Sequence, residues 1–279
     1  MAVARVSVCA GLAGFLTSLV VGSAAYAAAA IPDLSGTYWA TSYSPKIQVL
    51  GGGDPPLSEA GKAAYRKNQA GLKDGSIIDP ARKVCLPDGV PRILETPYPF
   101  EVFQLPPGQV TFVHELNHQI RPIPLDQPLP SYEQTLAFLN YGGHSSGHYE
   151  GDTLVIDTVG MKVGPFSMVD MYGTPQSPAL HVIERYRLID YDLARDAFER
   201  NAKENLRASG GGEFDPNYRG KVLQLQFTVE DENVFTMPWS ATITYRPAVS
   251  PRTDLICAEN PLEPGGKLSM VPRADKPDF

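Results

Sequence analysis

Leu223-Gln224-Leu225-Gln226-Phe227-Thr228-Val229-Glu230 is followed, after a turn over Glu230 to Asn233, by a second stretch. That stretch is Phe235-Thr236-Met237-Pro238-Trp239-Ser240-Ala241-Thr242-Ile243-Thr244-Tyr245. In both, every second residue is apolar and those between are mostly polar. Successive side chains of a strand point to opposite faces, so this period marks two strands with one buried row each. Two such strands joined by a short turn are the unit of an antiparallel sheet with one face in the core. Further strand signals lie upstream. Thr37 to Tyr43 is rich in aromatics and Thr, and Phe100 to Leu105 and Gln109 to Ile120 flank Pro106-Pro107-Gly108. Ser145 to Tyr149 and Thr153 to Val159 flank Glu150-Gly151-Asp152, and His181 to Asp190 is a further strand. Leu57 to Gln69 is the one N-terminal helix, with Ser58 placed to cap it. Helix and strand do not alternate in the manner of a doubly wound sheet. The expected fold is therefore all-β with a short N-terminal helix. It is an antiparallel meander of about eight to ten strands closing into a lipocalin-like barrel, since closure removes exposed strand edges.

Composition narrows the partners. The chain has 279 residues, with Lys plus Arg 24 and Asp plus Glu 31, a formal net charge of -7. An acidic chain with no basic run does not fit nucleic acid or an anionic membrane surface. Pro numbers 26 and Gly 25. Together they exceed the usual combined share of about 12%, in keeping with many turns. Arg5, the apolar stretch Val6 to Val21 and Ala25-Tyr26-Ala27 form the three parts of a secretory signal peptide over 1–28. One domain over 29–279 is then exported, periplasmic or extracellular, with no membrane segment left after cleavage. Cys9 departs with the signal. Cys85 and Cys257 remain, an even pair in an oxidising compartment, and are expected to form a disulfide. The stretch Asn201 to Gly220, with Gly210-Gly211-Gly212, reads as a mobile loop covering one end.

Several blocks stand out along the chain: P-D-L-S-G-x-Y at 32–38, L-S-E-A-G-K-A-A-Y at 57–65, D-P-x-x-x-x-C-x-P-x-G-x-P-R at 79–92 and P-Y-P-F-E at 97–101. G-H-S-x-G-x-x-E-G-D-T-L-V-I-D-T at 143–158, A-L-H-V-I-E-R at 179–185 and P-W at 238–239 complete them. In these blocks the chain resembles a family of exported bacterial β-rich proteins. The resemblance implies a secreted β domain and carries no particular reaction. His148-Tyr149 stands where that family more often has Arg or His followed by Trp, and His114 where it has an aromatic. Gly36-Thr37-Tyr38-Trp39 is also similar, with the spacing off by one, to the G-x-W that opens lipocalin-type barrels.

The chain has five histidines: His114, His118, His144, His148 and His181. His114-Glu115-Leu116-Asn117-His118 matches H-E-x-x-H, which on a helix sets two imidazoles one turn apart for Zn²⁺. The β-branched and aromatic residues before it, and Pro122 and Pro124 after it, place 110–120 on a strand instead. There the two rings lie about 13 Å apart, at about 3.3 Å per residue, too far for one metal. His144 heads the longest family-like block at a loop–strand junction, a common place for functional residues. His148, Glu150 and Asp152 read as hairpin surface.

Asp157 and Glu184 each interrupt an apolar strand. A buried carboxylate needs a partner, here Arg185, Arg121 or a histidine. Period two puts Glu184 with Val182, Tyr186 and Leu188, and His181 on the opposite face. The expected site therefore holds a small, largely apolar or aromatic molecule in the barrel interior or its mouth. His144, Asp157 and Glu184 are its acid/base candidates, for lyase, isomerase or hydrolase-type chemistry. Arg121, Arg185, Tyr186 and Trp239 are its binding candidates. No resident cofactor is implied. The alternative is a zinc or copper protein using the histidines of H-E-L-N-H and H-S-S-G-H.

Overall fold

The computed structural model describes residues 31–40, 47–79, 81, 85–105, 108–164, 167–204, 215 and 217–249. The signal segment, Cys257 and most of the 201–220 loop lie outside them, and so does any bond between Cys85 and Cys257. Nine strands form one sheet. In chain order they are β1 (Gly36–Ala40), β2 (Phe100–Leu105), β3 (Gln109–His114), β4 (Ile120–Pro124) and β5 (His144–Glu150). Then come β6 (Thr153–Val159), β7 (His181–Ile189), β8 (Val222–Glu230) and β9 (Trp239–Pro247). Every paired neighbour is antiparallel, and β1 pairs with both β2 and β9. The strands thus follow one another round a nearly closed barrel, in which the first and last of the described strands, β1 and β9, pair side by side.

The remaining junction, between β4 and β5, differs. An odd number of alternating strands brings two of them together pointing the same way. β4 and β5 accordingly meet through one parallel bridge, Leu125 to Gly147, backed by Asp126 N–H donating to the Gly147 carbonyl at 2.8 Å. Arg121 lies opposite Phe112, and His114 N–H donates to the Gln119 carbonyl at 2.9 Å. That register points the amides of Arg121, Ile123 and Leu125 toward β3, and leaves Pro122 and Pro124 facing β5. Proline has no N–H to offer there, so the edge cannot zip to β5 along its length. Gly147 allows the single close approach. A Cβ on it would lie 3.0 Å from side-chain carbons of both Ile123 and Leu125.

The alternating rows of β8 and β9 face inward as their pattern requires. Leu223, Leu225, Phe227, Val229, Trp239, Ala241, Ile243 and Tyr245 are all buried. They join Phe100, Phe112, Leu154, Ile156, Val182 and Tyr186 in one core. The barrel is filled with side chains rather than hollow. β9 begins only at Trp239. Phe235 is buried beside it, in T-shaped contact at 5.4 Å, whereas Met237 is exposed and leaves the expected row. At the far end, Gln104 of β2 accepts from Leu34 N–H, and donates to the Pro32 carbonyl at 3.0 Å and the Tyr149 hydroxyl at 2.8 Å. One side chain so ties the N-terminal segment to two strands.

Among the described residues three α-helices lie outside the sheet: α1 (Glu59–Asp74), α2 (Tyr132–Ala137) and α3 (Arg195–Glu204). Ser58 caps α1, as its sequence predicts, and the helix runs five residues beyond Gln69 to end before Gly75. α3 occupies the start of the stretch expected to be a loop from Asn201.

Candidate functional site

The stretch Gln109 to Ile120 is not one strand. β3 ends at His114, the chain turns, and β4 begins at Ile120. Asn117 and His118 have φ of 56° and 47°, the left-handed region of a tight turn. H-E-L-N-H is thus a strand end plus a turn, and the helical face that a shared metal requires does not form. Among the described residues, no three His, Cys, Asp or Glu side chains are grouped to hold a metal ion.

His114 points into the core, with its ring 5.4 Å from that of Phe100. Burial, with the charge of Arg121 adding, lowers its pKa from 6.5 to about 3, so the imidazole is neutral. Glu184 is 0% exposed. Arg121 grips it with both terminal nitrogens, at 3.1 and 2.5 Å, and the Tyr186 hydroxyl donates to it at 2.8 Å. Burial alone would lower the Arg121 pKa, but the charge and hydrogen bonds of Glu184 outweigh that and raise it. Burial first, then the Glu184 charge, pushes the Tyr186 phenol well above its usual value. The barrel interior therefore contains a charged pair that is internally balanced and hydrogen-bonded.

The other predicted residues are distributed differently. Asp157 lies on the outer face of β6, where it meets His181 Nε2 at 3.0 Å. The other ring nitrogen of His181 faces Glu230 at 3.2 Å. Arg185, also outside, donates to Glu150 at 2.6 Å, and His148 sits 3.2 Å from the same carboxylate. Trp239 is buried in the core. The structure thus joins Glu184, Arg121 and Tyr186, and places Asp157 and Arg185 on the opposite side of the sheet from them.

His144 opens β5 beside the β4–β5 seam. Gly143, at φ 70°, makes the turn into it, and a Cβ there would lie 2.6 Å from the Met161 sulfur. His144 Nε2 lies 2.9 Å from the Phe138 carbonyl. A carbonyl only accepts, so this nitrogen carries the proton, and Nδ1 of a neutral ring is left as an acceptor. The seam opens into a cleft of about 800 Å³. Its walls are Ile120, Pro122 and Pro124 of β4, the loop that carries α2, and the head of β5. His144 and Ser145 line it at β5, and Arg121 at β4. Phe138 and Ile120 stand at it 75% and 62% exposed. The Ser131 hydroxyl and the Gln134 side chain form a capping box at the start of α2.

This cleft was not foreseen from the sequence, because its wall is a strand that the prolines disguise. The alternation of Pro122 and Pro124 is the signal that was available. Comparison with family models, curated proteins and solved structures finds no match.

Proposed function

We propose that the chain binds a small, largely apolar or aromatic molecule in the β4–β5 cleft. The observation that carries this is the cleft itself. It lies within the size range of small-molecule sites, roughly 300–1,000 Å³, and is mainly apolar with a few polar groups, as such sites are. The walls stand on a sheet that proline keeps from closing, so the opening is built into the fold. His144 is the imidazole at the cleft, held through Nε2 by the Phe138 carbonyl. Glu184 is already committed to Arg121 and Tyr186 and acts through them, by holding Arg121 in place.

Gly142 gives a direct test. It lines the cleft, and a Cβ there would meet only Asn140 Oδ1 at 3.4 Å and Gln119 Nε2 at 3.9 Å. Gly142→Leu should therefore fold and plug the opening. The neutral fluorophore N-phenyl-1-naphthylamine should bind the wild type saturably at one site, and Gly142→Leu at least tenfold more weakly. Equal binding by both would remove the cleft as the site.

A further inference from the structure

Arg121 and Gln119 each carry a buried N–H that has no partner among the described residues. Arg121 spends its two terminal nitrogens on Glu184. Its Nε is buried and has no hydrogen-bond partner among the described residues, and Arg121 is one of the residues that line the cleft. Gln119 sits at the foot of β4. Its Oε1 accepts from Gly89 N–H at 3.4 Å, which orients the amide. The Nε2 end is buried and also without a partner among the described residues. It lies 3.9 Å from the place a Cβ on Gly142 would take, beside the cleft wall. Both atoms can only donate.

We infer that the cleft recognises its ligand through a neutral carbonyl oxygen, which accepts from Arg121 Nε–H and the Gln119 amide. This rests on the cleft being the binding site and specifies what it selects. The argument for a neutral acceptor is electrostatic. Glu184 already balances the Arg121 charge, and His114 beside it is neutral. A carboxylate ligand would add an unbalanced negative charge in a buried place. A ketone, ester or amide oxygen satisfies both donors and leaves the charge count unchanged. A ligand lacking that oxygen leaves two buried donors unpaired, which is how a site rejects it.

Acetophenone, ethylbenzene and benzoate share a ring and differ in this one group. The readout is the Arg121 Nε–H cross-peak in ¹⁵N-labelled protein, identified by its loss in Arg121→Lys. Acetophenone should bind at least tenfold more tightly than ethylbenzene and move that peak downfield. Gln119→Met, which keeps the side-chain length, should erase the preference, and it serves alone if Arg121→Lys fails to fold. Equal binding of acetophenone and ethylbenzene with the peak unmoved would overturn the carbonyl inference and leave the cleft reading standing. Benzoate binding tightest would overturn the neutral acceptor. No binding of any of the three, with N-phenyl-1-naphthylamine also failing, would overturn both readings.

Discussion

Glu184 is the residue on which the interior depends. It lies between Val182 and Tyr186 in a row that is otherwise apolar, and there Arg121 meets it with both terminal nitrogens and Tyr186 with its hydroxyl. That Glu184 needs a partner is legible in the sequence, since a carboxylate in an apolar row must be paired or turned outward. The sequence offers Arg121 only as one candidate beside Arg185 and the histidines, and does not choose it, because the two residues are 63 positions apart and meet only across the barrel. Asp157 shows the other outcome of the same reasoning. Its strand is as apolar, but its position has the parity of the outer face, where His181 meets it. Removing one member of a buried pair leaves the other charged and unpaired. Glu184→Gln should therefore cost about 3–5 kcal/mol in urea unfolding. The double variant Arg121→Met/Glu184→Leu should recover most of that, because neither charge remains. A double variant no more stable than Glu184→Gln would show that the pair contributes more than its own charge balance.

β4 is the element that the sequence hides. Its residues Ile120-Arg121-Pro122-Ile123-Pro124 carry too few donors to read as a strand, and the hydrophobic period is only five residues long. β8 and β9 are legible for the opposite reason, with long alternating rows and no break inside the paired region. The prolines are consistent with an edge strand in physical terms, since they fall only where an N–H would face away from β3. They also protect the open edge from pairing with another chain. Pro122→Val/Pro124→Val restores two amide donors on that side. Sedimentation should show this variant shifted toward larger species relative to the wild type at equal concentration. An unchanged distribution would mean that α2 and its loop, not the prolines, shield the edge.

Two buried groups, His114 and Glu95, contribute to the barrel's pH dependence with opposite signs. His114 is lowered from 6.5 to about 3. The unfolded chain binds its proton first, so the stability that His114 contributes is complete above 6.5 and is lost as the pH falls toward 3. Glu95 is raised well above 4.5, by burial first and then by the charge of Asp170. There the folded state binds the proton first, so its contribution is complete below 4.5 and is lost as the pH rises through its folded value. Between 4.5 and 6.5 the two slopes oppose, each about 1.4 kcal/mol per pH unit at full effect. His114→Phe removes one proton-linked slope and keeps an aromatic ring against Phe100. Urea unfolding of this variant should give a stability that, relative to the wild type, falls with rising pH across the window. Glu95→Gln should give the reverse, a stability that rises with pH. Parallel pH profiles for His114→Phe and wild type would mean that His114 takes up its proton within the folded barrel.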